Sequence, residues 1–463
     1  PIRARSVGVH KCNGASSKDI FNMFLFETAA LFVVALVCMA LLLFAFREYV
    51  ADMVAVPTLG TLLNAQTIWL PAIMILAIFI LSALLPARLF SVIPVTQVFR
   101  VSTSGKQGWK RSLLFIQFGG IAFVITLLVI VLLQYDRLMN NDLGYDPENI
   151  VYAPLNNMDD QKAAKLTAEF KKLPYVTATG LSSMDILSGY GGFPILDNEK
   201  NWLFTARQVN YDADYLSLMK IPLLEGQPLK GDGDILVNES FVSKRGWTDA
   251  AIGKYIYDDE GNLKGKIVGV TRDFMVNSFF TPQLPVIMFG SDRMSYCNFT
   301  VRVSELTPEY LREMNDKIAE LFPNEDVGFT VLKTIIESQY EGTRHFRDGV
   351  FVASIAILLI TLMGLLGYIT DEMHRRSKEI AIRKVNGATA PNILRLLSKD
   401  VLITAFPAIL LGVIASRVVG ESWLRQFADK IPLTVFIFIS TALLVLAIIW
   451  GCVILKSWNI ANE

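Results

Sequence analysis

Charge, histidine and cysteine are all scarce in this sequence. Charged residues make up 19% of the 463, and 43 basic side chains offset 43 acidic ones, so no net positive field is available to hold nucleic acid. The hydrophobic share of 52% and a mean hydropathy of +0.42 exclude a disordered chain and a wholly soluble enzyme. His10, His345 and His374 lie in separate segments, and Cys12, Cys38, Cys297 and Cys452 show no metal-ligand spacing. Neither a zinc site nor a disulfide framework is expected. A phosphate-binding loop is missing too: Gly105-Lys106 is followed by Gln107 and Gly253-Lys254 by Tyr255, where Ser or Thr is required. His-Glu-x-x-His and Gly-x-Ser-x-Gly do not occur. No catalytic residue, no metal site and no cofactor are expected in this chain.

What the sequence has instead is long uncharged runs. Ala29–Phe46 and Val350–Ile369 carry no charge over about 20 residues, the length that spans a bilayer. Six spans are expected, at 22–46, 68–90, 112–134, 350–370, 400–419 and 433–455, three on each side of a hydrophilic region 135–349. Pro71, Pro86 and Pro407 fall inside spans, where neighbouring helices can satisfy the freed backbone groups.

Lysine and arginine set the orientation. Segments 1–21, 91–111 and 371–399 are basic, the last through Arg375, Arg376, Lys378, Arg383, Lys384, Arg395 and Lys399. Loop 47–67 has only Arg47, and loop 420–432 only Arg425 and Lys430. The basic segments are therefore cytoplasmic and region 135–349 lies outside. Trp69 and Trp423 sit near span ends as interfacial anchors.

The outer region reads as a mixed α+β domain. Asn149–Pro154 and Gly265–Val270 have strand character. Asp160–Leu173 places Ala163, Leu166, Phe170 and Leu173 on one helical face, and Pro308–Phe322 does the same with Leu311, Met314, Ile318 and Leu321. Gly189, Gly191 and Gly192 mark a loop.

The most specific feature is an internal repeat. Arg5–Ile20 recurs as Lys378–Ile393 at a constant offset of 373 residues, so Lys11, Asn13, Gly14 and Ala15 meet Lys384, Asn386, Gly387 and Ala388. The same register carries Glu27 onto Asp400. Each copy is an apolar-alternating basic stretch ending in Asn-Gly-Ala, followed by span, short outer loop and span. As a lipid anchor the segment accounts for the charge but not for the Asn-Gly-Ala. As a short helix closed by glycine it presents a rigid surface to a cytoplasmic partner. Two copies of one membrane unit are the usual construction of a transporter, and both face the cytoplasm, which disfavours a secondary carrier built on inverted repeats.

Arg376-Ser-Lys-Glu-Ile-Ala-Ile-Arg-Lys-Val-Asn-Gly-Ala-Thr389 resembles the signature of FtsX/MacB-like ABC transporter permeases, the type VII or mechanotransmission class. Leu113–Phe118, Asn141-Asp-Leu-Gly-Tyr-Asp146, Gly253-Lys254, Val268–Phe274, Gly364–Tyr368 and Pro94–Arg100 resemble further motifs of the family. The resemblance implies a polytopic α-helical membrane protein with one α+β extracytoplasmic, MacB-type periplasmic domain, in the large two-half form lacking the start of its first half. Its expected parts are 1–100, the C-terminal part of a first FtsX-like unit; 101–134, a linker and span; 135–349, the periplasmic domain; and 350–463, the second unit. The first signature departs from the pattern, with Gly8 and His10 at the positions of Ala381 and Arg383.

The resemblance further implies a permease subunit of the cell inner membrane that converts ATP hydrolysis by a cytoplasmic ABC ATPase dimer into movement of periplasmic domains, exporting or releasing a substrate. ATP and Mg would be bound by that partner, and a periplasmic adaptor and an outer-membrane channel are further partners within the family, beside the lipid bilayer. An FtsX-like signalling protein acting on a periplasmic hydrolase or sensor kinase is the alternative. The residues expected to meet the ATPase are Lys378, Glu379, Ile380, Ile382, Arg383, Lys384, Asn386, Gly387 and Ala388, with Val7, Val9, Lys11, Asn13, Gly14 and Ala15 in the first copy. Gly364 and Gly367 are expected to allow close helix packing or a bend. Gln117 and Gln134 are expected to hydrogen-bond a neighbouring helix; Glu27 and Asp400 are read either as partners of cations in the signature loops or, the favoured reading, as ordinary interfacial carboxylates.

Overall fold

A computed structural model describes residues 9–53, 68–84, 87–88, 108–156, 159–187, 191–197, 199–247, 251–276, 280–291, 296–323, 325–387 and 390–462. The chain divides into two units. One comprises Pro1–Leu132, Gly342–Glu421 and Leu433–Glu463, and the other Leu133–Glu341 together with Ser422–Pro432.

The first unit is helical. Its elements are α1 (Ser17–Ala45), α2 (Arg47–Met53), α3 (Trp69–Phe79), α4 (Gly108–Asn140, continuing into the second unit), α10 (Glu341–Val385), α11 (Ala390–Leu424) and α12 (Val435–Asn462). The start of α1 is fixed by a capping box: the Asp19 N–H donates to the Ser16 hydroxyl, and the Ser16 N–H to the Asp19 carboxylate. Among the described residues, five helices are long and apolar enough to cross a membrane: Ser17–Ala45, Arg111–Asn140, Glu341–Met373, Ser398–Leu424 and Val435–Lys456. At the sixth expected position, 68–90, stands a shorter apolar helix, Trp69–Leu84, whose last five residues form a π-helical turn.

The second unit is built on an antiparallel sheet with helices on it. β1 (Ile150–Asn156), β2 (Val176–Ser182), β10 (Tyr296–Val303) and β11 (Thr330–Val331) run in the order β11-β1-β10-β2, every neighbouring pair antiparallel. Helix α5 (Asp160–Phe170) joins β1 to β2, and α8 (Pro308–Leu321) joins β10 to β11. This is a split β-α-β arrangement. Alternate residues of β1, Val151, Ala153 and Leu155, bury against Ala163, Leu166 and Phe170 of α5 and Met314 and Ile318 of α8. The helical faces expected from apolar spacing are the faces that pack.

Between β2 and β10 the chain inserts a second lobe with its own core. It contains β3 (Gly191–Leu196), β4 (Trp202–Tyr211), α6 (Tyr215–Met219), β5 (Leu223–Gly226), β6 (Asp234–Asn238), α7 (Glu239–Arg245), β7 (Tyr255–Tyr257), β8 (Leu263–Thr271) and β9 (Val286–Gly290). Strands β4 and β9 pair in parallel, as do β6 and β8, while β6 and β9 run antiparallel. Phe193, Phe204, Ile235, Val237, Phe241 and Ile267 fill the core. Gly191 and Gly192, expected in a loop, open β3 instead: a Cβ on Gly192 would meet Thr205 Cγ2 at 2.9 Å, so a larger residue there would displace the Thr205 side chain. A last helix, α9 (Leu332–Gln339), leads within two residues into α10.

Candidate functional site

The signature of the second copy is not a separate short helix, as its sequence suggests, but the end of a 45-residue one. Helix α10 runs unbroken from Glu341 to Val385, so Lys378–Val385 continue the helix whose earlier part forms a span. At 1.5 Å per residue this is about 67 Å, against about 30 Å of hydrocarbon. The polar composition of 371–385 marks where that helix leaves the bilayer, not where it stops.

What stops it is Gly387. Its φ is +88°, in the left-handed region, and the Asn386 N–H closes the last turn on the Ile382 carbonyl at 3.0 Å. The first copy repeats this. Residues 9–12 are helical, the Asn13 N–H donates to the Val9 carbonyl at 3.0 Å, and Gly14 has a φ of +93°. A side-chain-bearing residue is strained at such an angle, so the repeated glycine is explained by a shared helix-stop and turn into the next span. Val7 and Ala388 lie outside the described residues.

The signature surface is open. Ile382 is 63% exposed, Val385 88% and Val9 53%, although all three are apolar. Arg383 and Glu379 pair at 2.7 Å one helical turn apart, with both side chains nearly half exposed. Asn13, Gly14, Asn386 and Gly387 are exposed, Lys11, Ala15 and Ile380 half-buried.

At the start of the signature lies a charge cluster that the less favoured sequence reading, Asp400 paired with signature cations, anticipates in part. Glu372 is buried, and Arg375 and Arg376 both donate to it. Arg376 also donates to Asp400 on α11, and Arg111 on α4 lies 3.8 Å from the same carboxylate. Asp400 is thus no ordinary interfacial acid, because it joins three helices. The spacing Glu372–Arg376 (i, i+4) was the available signal.

Helix packing beside this cluster rests on small residues. Ala405, Ala408, Gly412, Ser416 and Gly420 recur along one face of α11. A Cβ on Gly412 would lie 2.2 Å from the Gly119 carbonyl oxygen of α4, and one on Gly420 would strike Ile130 at 2.8 Å. Gly364 packs against the Gln117 amide, where a Cβ would come within 2.6 Å. Gly367 faces open space, and α10 runs through both glycines without a break. A hydrogen bond between Thr126 and Thr441, at 3.1 Å, ties α4 to α12.

Two further motifs meet in the second unit. Gly144, in Asn141–Asp146, has a φ of +75°, and a Cβ there would lie 2.5 Å from the Asp273 carbonyl oxygen, in the segment after β8. Arg272 pairs with Asp142 at 2.8 Å, and the Met275 N–H donates to the Leu143 carbonyl at 2.7 Å. Arg302 of β10 donates to Asp146 at 3.0 Å. Loop 422–432 joins them: Asp429 accepts from Arg137 and Asn141. Gln134 is wholly buried and bonds the backbone of Asp429 and Ile431. It satisfies a loop, where a neighbouring helix was expected. Trp423 stacks edge-on against Phe427 at 5.0 Å, which gives this expected interfacial anchor a place in an aromatic stack.

The model of the C-terminal domain of FtsX-like permeases matches the chain twice, over residues 3–95 and 351–463. Both stretches are FtsX-like permease domains. Both matched stretches contain a glycine-stopped signature, and the second contains Asp400. The permease is a membrane protein with an extracytoplasmic domain, of a family whose members are transmembrane subunits of ABC-type transporters. Among solved structures it is similar to the periplasmic region of MacB from Actinobacillus actinomycetemcomitans, at 13% identity, covering 44% of this chain and 97% of that one with a TM-score of 0.32. It is also similar to the extracellular domain of the noncanonic ABC-type transporter YknZ from Gram-positive bacteria, at 11% identity, covering 40% and 99% with a TM-score of 0.29. No curated protein matches the chain.

Proposed function

We propose that this permease passes motion from a cytoplasmic ATPase dimer to its extracytoplasmic domain, and that the two signature ends are where the ATPase docks. The observation that carries this reading is the exposed signature tip of α10. Ile382 and Val385 stand in water at the end of a helix that continues without interruption into a span. Isolated apolar side chains on a soluble surface are ordinary. Here they share a tip with the Arg383–Glu379 pair and recur as Val9 in the first copy, which fits a two-fold partner.

In this mechanism the partner binds ATP and Mg, and the permease does no chemistry. Displacement of the tip moves α10 as one body, and the Glu372–Arg376–Asp400–Arg111 cluster carries the displacement to α11 and α4. Close packing at Gly412 and Gly119 keeps those helices from absorbing it. The shorter helix Trp69–Leu84 acts as a sixth span, the protein resides in the inner membrane, and the moving domain expels or releases a substrate already outside the cytoplasm.

Copurification tests the docking. Replacing Arg383 and Lys384 by Glu reverses the charge of the signature tip. The ATPase that accompanies the wild-type permease is then lost from the purified complex while the permease itself folds normally. Unchanged copurification would remove the signature from the interface.

A further inference from the structure

Helix α11 and Trp450 of α12 border a groove of about 1060 Å³. At one end it is lined by Arg395, Ser398 and Lys399, and along its length by Ile403, Phe406 and Trp450. The two kinds of lining differ sharply in chemistry. Arg395 and Lys399 are exposed, lie one helical turn apart on the same face of α11, and have no carboxylate partner among the described residues. They fall on the cytoplasmic side by the distribution of basic residues. Between them Ser398 is 94% buried and its hydroxyl makes no hydrogen bond, although a serine in a membrane helix ordinarily donates to the carbonyl four residues back. A buried hydroxyl without a partner is costly, and an acceptor entering the groove would satisfy it.

Beyond this polar end the walls are apolar and aromatic. Ile403 is 61% exposed, Phe406 65% and Trp450 51%. Pro407 removes the N–H that the Ile403 carbonyl would otherwise meet, which loosens α11 at mid-groove. A neighbouring apolar helix could cover the walls but would bring no anion to two adjacent cations and an unpaired hydroxyl. Charge complementarity selects an amphiphile with an anionic head.

We propose that the groove binds one glycerophospholipid of the cytoplasmic leaflet, with its anionic headgroup on Arg395, Lys399 and the Ser398 hydroxyl and an acyl chain along Ile403, Phe406 and Trp450. This site is independent of ATPase docking, and it places a lipid against the helix that carries Asp400.

Native mass spectrometry of the delipidated 463-residue chain tests it, with phosphatidylglycerol or phosphatidylcholine of identical acyl chains added back. Phosphatidylglycerol is expected to remain as one adduct per chain and to bind at least about five-fold tighter than phosphatidylcholine, since each basic residue contributes about that factor at an anionic surface. The double variant R395Q/K399Q, on an exposed face, should reduce phosphatidylglycerol to the phosphatidylcholine level, whereas W450A should weaken both lipids. K456Q, which neutralises a cation outside the groove, should leave the preference intact. Equal binding of the two lipids, or a preference that survives R395Q/K399Q, would overturn the assignment. So would a second copy of the chain that occupies the face and excludes lipid.

Discussion

Arg376 donates a hydrogen bond to Asp400 across the turn that separates α10 from α11, and both side chains are largely withdrawn from solvent. In the register of the internal repeat these residues correspond to Arg3 and Glu27. The pair stands where the signature helix leaves the membrane, so it holds the signature in a defined position relative to the following span.

Removing Arg376 leaves Glu372 buried with half of its cationic partners. Arg375 still donates to Glu372 at 2.6 Å, so Arg376→Ala is expected to cost about 3 kcal/mol, the lower end for breaking a buried pair. Asp400→Asn keeps the shape and an acceptor and should cost about 1 kcal/mol or less. Thermal unfolding of the purified variants in detergent reads the difference, and an equal effect of the two would contradict the ordering.

Gly412 and Gly367 make a paired test of packing. Gly412→Ala forces a methyl group against the Gly119 backbone and should destabilise the helical unit by about 1–3 kcal/mol. Gly367→Ala meets nothing within 4 Å and should be neutral or stabilising by up to about 1 kcal/mol, because alanine favours the helix. The same unfolding measurement separates them. A destabilised Gly367→Ala would mean that its face is covered in the intact protein.

Gly144 combines a left-handed backbone with close approach to Asp273. Gly144→Ala should therefore destabilise the extracytoplasmic unit by about 2 kcal/mol or more, the sum of backbone strain and steric clash. Faster hydrogen exchange of the Met275 amide, which donates to Leu143, would report the loosening locally. Wild-type protection at Met275 would show that the junction does not depend on Gly144.

Asp212 gives the extracytoplasmic unit a pH dependence near neutrality. Burial pushes its carboxyl up to about 6, although the Leu181 and Tyr215 N–H groups donate to it and oppose the rise. The folded form therefore binds this proton more tightly than the unfolded chain, whose carboxyl titrates near 3.8. Stability from this group is present below about pH 4 and is lost as pH rises through about 6, a change of about 3 kcal/mol. Denaturant unfolding at pH 5 and pH 7 should show the unit more stable at pH 5. Asp212→Asn should flatten that difference.

Much of this was legible in the sequence. Uncharged runs located five of the six expected spans among the described residues, and apolar spacing identified the buried faces of α5 and α8. The repeated Asn-Gly was legible as a glycine-closed helix end, and the left-handed φ at Gly14 and Gly387 agrees with it. The unbroken α10 was obscured because its polar end reads as a connection, whereas a helix can leave the bilayer without ending. The pairing of Asp400 with a signature cation was the less favoured of two sequence readings for a related reason. A carboxylate at a span end has water as an alternative partner, and only the fold brings Arg376 and Arg111 to it. Of the second lobe, inserted between β2 and β10, only the strand at β8 was legible, because the pairs β4–β9 and β6–β9 join strands far apart in the chain.

The exposed apolar tip of the signature is the part of the mechanism on which the rest depends. The decisive comparison is the ATP hydrolysis rate of the copurifying ATPase with wild-type permease and with the double variant Ile382→Asp, Val385→Asp. Both side chains are exposed, so the variant should fold and retain wild-type thermal stability. Stimulation of hydrolysis should fall to the level of the ATPase alone. Full stimulation by a stably folded double variant would show that the ATPase does not engage this tip, and the proposed route of motion would be wrong.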